Sequence, residues 1–157
     1  MPRLSLPPLK TIRTIDTLSA MSLFVDTSIW YAAADSADAS NPRAKAILKS
    51  GEPLVTTDHV LVETWMLLEH RIRNDAAERF WEGMRNGVAT IEPVGMADLE
   101  AAWQIGLSQR TQGFSIVART SFAVMRRLGI ERVASLDNVF AVFRFGPKGG
   151  QAFTIVR

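Results

Sequence analysis

The chain has 157 residues, of which 47% are hydrophobic and 22% are charged, and its formal net charge is +2. A chain of this length and hydrophobic content folds as one globular domain with a core, which excludes intrinsic disorder. With no cysteine and two histidines, a disulfide framework and a thiolate or histidine-based metal site are excluded, so any metal must be held by oxygen atoms.

The first 20 residues contain three prolines and show no strong periodicity, so we expect a flexible or non-native extension there. This segment lacks the uninterrupted apolar core of a signal peptide, and no apolar run in the chain is long enough to cross a membrane. We therefore expect a cytoplasmic protein without membrane contact, whose domain covers residues 21–157.

Short apolar runs predict strands in the domain, and longer segments with helical periodicity separate them. The first strand is predicted at 22–26, and the helix after it has Thr27 or Ser28 as its expected cap. A second helix is predicted over 41–50 with Pro42 in its first turn.

The middle of the chain continues this alternation, and Asn74 is the expected cap of one helix. Strands are predicted at 52–57 and 88–94, and helices at 58–72, 74–87 and 96–110.

The last third opens with a helix that lies between the expected cap Ser115 and Gly129. A strand is predicted at 132–137, and two late strands are predicted at 139–145 and 151–157 around the turn GPKGG. The alternation of strands and helices predicts a three-layer α/β/α domain with a mainly parallel sheet.

Three acids stand out as candidates for chemistry. Asp26 and Asp137 each end a predicted strand, and in open α/β sheets ligands bind at the carboxyl ends of the strands. Either residue could instead cap the following helix. Glu63 lies inside the apolar run VLVETWMLL, where a charge is costly unless it is paired, bound to a metal or turned to a wet cleft.

Clustered carboxylates without histidine or cysteine suit a hard cation such as Mg²⁺ or Mn²⁺, which can activate water and neutralise a phosphate. The charge distribution fits a polyanion: residues 21–104 carry 7 basic and 13 acidic side chains, whereas residues 105–157 carry 8 basic and 2 acidic ones. An ordinary solvated surface is the alternative explanation of this asymmetry.

Three ordered motifs carry a resemblance to a known family. VDTSIWYA, HVLVETWMLL and FSIVARTSFAVMRRLGI followed by ASLDNVF resemble the PIN domain, in particular the VapC toxins of bacterial toxin–antitoxin pairs, over residues 21–145. The resemblance implies an α/β/α fold, a quartet of acids that holds Mg²⁺ or Mn²⁺, and endoribonuclease activity on structured RNA, either tRNA or ribosomal RNA.

Residue by residue, the resemblance assigns metal-binding roles to Asp26, Glu63 and Asp137. Ala118 stands where relatives have a further metal-binding Asp, and Val139 stands where they tend to have a second acid after the late strand. Both departures remove a negative charge from the expected site. They are open to two explanations, an engineered inactivation or a natural, degenerate member of the family.

Other side chains are candidates on the same segments. Ser121 lies one turn after Ala118 and could bind a phosphate or a water on the metal, or it could bond a backbone carbonyl. Thr27 is either a site residue or a helix cap. The candidates for RNA binding are the basic residues Arg119, Arg126 and Arg127.

Three functions are therefore considered. The first is a metal-dependent endoribonuclease toxin that is weakened or inactive because of Ala118, and the second is a non-catalytic PIN-like module that binds RNA or an antitoxin. A phosphatase or phospho-acceptor domain ranks last because no Gly-rich phosphate loop is present. The resemblance also implies a VapB-type antitoxin and a homodimer, and the candidate surface residues for both are Trp30, Tyr31, Trp65 and Trp81.

Overall fold

The computed structural model describes residues 21–157, so the extension expected at 1–20 lies outside the described residues. Its centre is a five-stranded sheet in the order β3-β2-β1-β4-β5, in which every neighbouring pair is parallel. The strands are β1 Leu23–Val25, β2 Leu54–Thr57, β3 Thr90–Glu92, β4 Arg132–Ala134 and β5 Thr154–Val156.

Seven α-helices of the described residues surround this sheet. Parallel crossovers are right-handed, so the helices between β1 and β3 cover one face and those between β3 and β4 cover the other, which confirms the predicted three-layer α/β fold. No helix in residues 21–157 is long and apolar enough to span a membrane. The helices are α1 Thr27–Ala34, α2 Asn41–Leu48, α3 Asp58–Arg71, α4 Asn74–Arg85, α5 Met96–Ser108, α6 Ile116–Leu128 and α7 Val139–Val142.

The ends of α6 follow the sequence signals. The Ser115 hydroxyl accepts a hydrogen bond from the Ala118 N–H at 3.1 Å, and Gly129 ends the helix with φ of 69°, a left-handed conformation that glycine adopts without strain. Other expected caps were wrong by one residue or more. Helix α4 is preceded by Arg73 rather than capped by Asn74.

The late strand predicted at 139–145 is also wrong. This segment forms the four-residue helix α7, and beyond it only one antiparallel bridge joins Phe145 to Gln151 among the described residues. A short apolar run does not distinguish a buried helix from a buried strand. Because β4 and β5 are parallel, the chain between them must form a crossover, which a hairpin of two late strands cannot provide.

The core behind this crossover is a cluster of phenylalanines centred on Phe122 of α6. Its fully buried ring stacks on Phe143 with 4.3 Å between centroids and meets the edges of Phe140 and Phe114 at 5.1 and 5.2 Å. Aromatic pairs in these geometries add to the free energy of apolar burial. The cluster joins α6 to the segment that follows β4.

We expect Phe122→Ala to lower the free energy of unfolding by about 3–5 kcal/mol, because it leaves a cavity inside this cluster. Chemical denaturation monitored by circular dichroism measures the change. Ile116→Ala on the same helix is the matched control: Ile116 is 57% exposed, so its truncation should change stability by no more than about 0.5 kcal/mol. Equal effects of the two substitutions would contradict a role of this cluster in the core.

Candidate active site

A cleft of about 540 Å³ opens at the carboxyl edge of the sheet, where β1 and β4 lie side by side. Asp26 follows β1 directly, and Asp137 follows β4 after two intervening residues. Both line the cleft, Glu63 reaches it from α3, and Ala118 lies on its wall at the start of α6. The three acids named as candidates and Ala118 therefore line one cleft.

Asp26 is 9% exposed, and its carboxylate accepts hydrogen bonds from two serine hydroxyls. The hydroxyls of Ser28 and Ser135 donate to Oδ2 at 3.0 and 2.9 Å. Asp26 occupies the N-cap position of α1, yet its side chain makes no capping hydrogen bond. Neither helix capping by Asp26 nor the expected capping by Thr27 or Ser28 occurs, and the carboxylate is turned towards the cleft instead.

The two serines also fix the loop that carries Asp137. The Leu136 N–H donates to Ser28 Oγ at 2.9 Å, and the Asp137 N–H donates to Ser135 Oγ at 3.0 Å. Ser28 and Ser135 thus hold the two aspartates together across the strand ends. Neither serine was predicted to belong to the site, although each lies two positions from one of the aspartates.

The environment of Asp26 disfavours the ionised form of its carboxyl group. Burial raises the pKa of Asp26 above 3.8, and hydrogen bonds from Ser135, Ser28 and the Thr27 N–H oppose this rise. The charge of Asp137 raises the pKa further. A cation placed between the two carboxylates would reverse both costs, since it replaces repulsion by attraction.

Glu63 faces the cleft, which is one of the environments expected to tolerate its charge. Val62 is 52% exposed and Met66 is 60% exposed, so α3 is apolar around Glu63 but is not buried on all sides. Glu63, Leu67 and Arg71 follow one another at intervals of four residues and all line the cleft. One stripe of α3 therefore forms this wall.

Two hydroxyls near the cleft lack hydrogen-bond partners among the described residues. Thr27 is 6% exposed and lines the cleft, and its Oγ1 is buried without a partner. Ser121 lies fully buried one turn after Ala118, and its Oγ is also without a partner. Buried polar atoms of this kind are costly, so each could bond a ligand or water.

The donor set suits a hydrated hard cation better than an enclosed one. Within residues 21–157, no cluster of three or more His, Cys, Asp or Glu side chains is close enough together to hold a metal ion. Magnesium, however, keeps several waters and needs only one or two carboxylates together with substrate phosphates. The paired Asp26 and Asp137 and the free Thr27 hydroxyl fit that requirement, with Glu63 within the same cleft.

Two of the arginines expected to bind RNA are packed against the protein. Arg119 belongs to α6, and its side chain packs against α5, where its Nη1 donates to the Ala102 carbonyl at 3.4 Å and where any Cβ on Gly106 would collide with it. The Arg126 guanidinium lies 4.2 Å from the centre of the Phe145 ring. Neither lines the cleft.

The third expected arginine, Arg127, is held by acids at the far end of α6. It forms ion pairs with Asp98 at 2.9 Å and Glu92 at 2.8 Å. Both partners raise the pKa of Arg127, and Asp98 has the larger effect. The same contacts hold the pKa of Asp98 below its usual value. The arginine that does line the cleft is Arg71, which was not among the predicted site residues.

The aromatic residues expected on a partner surface divide into buried and exposed ones. Trp30 is 4% exposed and its indole N–H donates to the Val25 carbonyl at 3.2 Å, so it belongs to the core. Tyr31 lines the cleft. Trp65 and Trp81 line a separate shallow hollow of about 240 Å³ between α3 and α4.

Comparison with known proteins gives consistent results. Residues 23–146 match the family described as PIN domain. The 23S rRNA-specific endonuclease VapC20 from two strains of Mycobacterium tuberculosis is 39% identical over 125 residues, which cover 78% of this chain and 95% of that protein.

Solved structures agree with this match. The crystal structure of Mycobacterium tuberculosis VapC20, described as a sarcin–ricin loop cleaving toxin, superimposes with a TM-score of 0.69 at 36% identity, covering 74% of this chain and 90% of that chain. A toxin–antitoxin complex from Klebsiella pneumoniae shares the fold, with a TM-score of 0.58 at 13% identity over 86% of this chain and 96% of that chain.

Proposed function

The chain belongs to the PIN domain family and resembles its VapC toxins, and on this premise we propose that it is a metal-dependent endoribonuclease toxin that cuts ribosomal RNA. The observation that carries the proposal is the meeting of Asp26, Glu63 and Asp137 in one cleft at the strand ends. The missing carboxylate at Ala118 weakens this activity, because the site has one oxygen ligand fewer for its cation.

The proposed substrate is the sarcin–ricin loop of 23S ribosomal RNA. The 39% identical relative is named a 23S rRNA-specific endonuclease, and its crystal structure is that of a sarcin–ricin loop cleaving toxin. The match covers 95% of the length of that relative. A tRNA target is the alternative within the same reaction class.

In the proposed mechanism, Asp26 and Asp137 are the residues that would hold Mg²⁺ or Mn²⁺, and the bound ion would supply charge neutralisation at the phosphate and a lowered pKa for water. Ser28 and Ser135 orient Asp26 through their hydrogen bonds to its Oδ2. The free Thr27 hydroxyl donates to a phosphate oxygen of the scissile bond. Glu63 accepts hydrogen bonds from water on the opposite wall and so orients the attacking molecule.

The proposal is tested by incubating the chain with an RNA hairpin that carries the sarcin–ricin loop, in Mn²⁺ or Mg²⁺. We expect a single cut in the loop that requires the metal and disappears in EDTA. A hairpin with the same stem and a scrambled loop is the control, and a tRNA tests the alternative target. Intact RNA with this chain and with the Ala118→Asp variant would exclude the ribonuclease.

A non-catalytic module that binds RNA or an antitoxin is the second candidate. It is favoured by two observations: Ala118 where an acid is expected, and no cluster of three metal-binding side chains among the described residues. A metal with fewer ligands binds more weakly, so the cleft could hold RNA without cutting it. The cleavage assay separates the two candidates.

The proposed partner is a small VapB-type antitoxin, in keeping with the toxin–antitoxin complexes that share the fold. Its arm would cover the cleft beside Tyr31 and so block RNA. We further propose a homodimer, for which the exposed Trp81 with Trp65 is the candidate surface. Light scattering of the isolated chain tests the dimer, and co-purification of a small protein with the chain from its own cells tests the antitoxin.

A further inference from the structure

Arg71 is the last residue of α3 and lies at the rim of the cleft, two turns beyond Glu63 on the same stripe of the helix. Eight residues of α-helix correspond to about 12 Å along the axis, so Arg71 stands away from the acids without leaving the cleft. None of the ion pairs among residues 21–157 involves Arg71. No carboxylate of the described residues is therefore within ion-pair distance of its guanidinium.

Tyr31 holds the Arg71 side chain. The guanidinium carbon lies 5.7 Å from the centre of the Tyr31 ring, and both residues line the cleft. A cation–π contact attracts the guanidinium to the ring face and leaves its N–H groups free to donate. The pair therefore places the guanidinium donors of Arg71 at the lining of the cleft.

The surroundings make this cation distinctive. The other charged side chains that line the cleft are Asp26, Asp38, Glu63 and Asp137, all of which repel a polyanion when ionised. Arg127 at the far end of α6 is neutralised by Asp98 and Glu92. Among the described cleft-lining residues, Arg71 is the cation available to an RNA phosphate.

We propose that Arg71, held in place by Tyr31, binds a phosphate that flanks the scissile phosphodiester and thereby sets the affinity for RNA. The inference rests on the ribonuclease function proposed above. Arginine suits this role because its planar fork binds phosphate through two parallel hydrogen bonds. Asp26 and Asp137 would hold the cation at the scissile phosphate, whereas Arg71 binds the phosphate next to it.

The test measures binding without cleavage. A fluorescent RNA hairpin carrying the sarcin–ricin loop is titrated with the protein in EDTA, over a series of salt concentrations. We expect Arg71→Ala to weaken binding on the order of 10-fold and to reduce the slope of log K against log salt by about 0.7, the value for one phosphate contact to a single strand. Tyr31→Ala should weaken binding in the same direction, whereas Tyr31→Phe keeps the ring and should bind normally.

Two further variants separate a specific contact from a loss of charge. Arg71→Lys keeps the charge but lacks the fork, so it should retain the salt slope and lose affinity. Arg85→Ala removes the same charge from an exposed position that does not line the cleft, and it should change neither quantity appreciably. Circular dichroism confirms that each variant is folded.

The outcomes distinguish this inference from the function on which it rests. If the unmodified chain does not bind the hairpin at any of the salt concentrations, both the RNA function and the inference are overturned. If the unmodified chain binds and Arg71→Ala, or Arg71→Lys where alanine unfolds the protein, shows its affinity and salt slope unchanged, the inference alone is overturned. A loss with Arg71→Ala that Arg85→Ala reproduces also overturns it.

Discussion

Asp26→Asn should abolish RNA cleavage, lowering the rate by at least on the order of 100-fold. The substitution keeps the size of the side chain and an oxygen that can accept from Ser28 and Ser135, but it removes the charge proposed to hold the cation. Cleavage of the sarcin–ricin hairpin in Mn²⁺ measures the effect, both in the present chain and in the more active Ala118→Asp background. Asp75→Asn, on an exposed turn of α4 away from the cleft, is the control and should leave the rate unchanged.

The same substitution should stabilise the metal-free fold at neutral pH. Burial raises the pKa of Asp26 in the folded chain above 3.8, so the unfolded chain ionises first as the pH rises. Stability is therefore lost from about pH 3.8 upwards until the pH passes the folded-state pKa. Asp26→Asn removes this loss, and its advantage over the unmodified chain should grow with pH across that window.

Thermal unfolding in EDTA at several pH values checks this second effect. A gain in stability together with a loss of cleavage is typical of a residue kept for function at a cost to the fold. If Asp26→Asn instead lowered stability at pH 7 and left cleavage intact, Asp26 would be a structural residue. The cation-binding role proposed for Asp137 and the role proposed for Glu63 would then also be refuted.

The placement of the aspartates could be predicted from the sequence because it depends on topology. Asp26 and Asp137 end short apolar runs, and parallel strands bring their carboxyl ends to one edge of the sheet. The order of the strands did not need to be known in advance for this. The approximate position of Ala118 followed from the helix signals Ser115 and Gly129, which the structure confirms.

The conformation of the segment after Asp137 and the partners of the arginines could not be predicted in the same way. Residues 139–143 are continuously apolar, so their periodicity could not distinguish α7 from a strand, and the parallel pairing of β5 decided the outcome. Arg119 and Arg127 were expected to bind RNA because the last third is basic. Their partners, the α5 backbone and Asp98, come from a neighbouring helix whose contacts only the folded structure reveals.

Arg71 illustrates the reverse case. It lies in the more acidic part of the chain, where the charge count gave no reason to expect a phosphate contact. Its spacing from Glu63 by eight residues was visible in the sequence, but its contact with Tyr31 depends on how α1 packs against α3. The charge count of a long segment therefore does not show which cation lies at the cleft, because that depends on how the helices pack.

Ala118→Asp should raise RNA cleavage on the order of 10-fold to 100-fold, which is the effect that one ligand or its supporting partner commonly has on a metal site. Ala118 is 8% exposed and lines the cleft, so a carboxylate there can reach the space near Asp26. The first turn of α6 contains no acid, and the helix dipole favours an anion at this end.

The added carboxylate should also change how the fold responds to metal. Without a cation it increases the repulsion among the acids, so the melting temperature in EDTA should fall. With Mn²⁺ it provides another oxygen ligand, so the rise in melting temperature on adding the ion should be larger than for the unmodified chain. Ala118→Asn has nearly the same shape without the charge, and it should gain neither cleavage nor the larger shift.

Val139 could keep the Ala118→Asp variant inactive. It lines the same cleft and occupies the position where the resemblance implies another acid. If Ala118→Asp alone stays inactive, the double variant Ala118→Asp with Val139→Asp should cleave the hairpin in Mn²⁺, since it supplies both missing charges. Intact RNA with the single and the double variant, both folded and supplied with metal, would refute the ribonuclease. The cleft would then be a binding site, and the hairpin titration in EDTA would measure its remaining function.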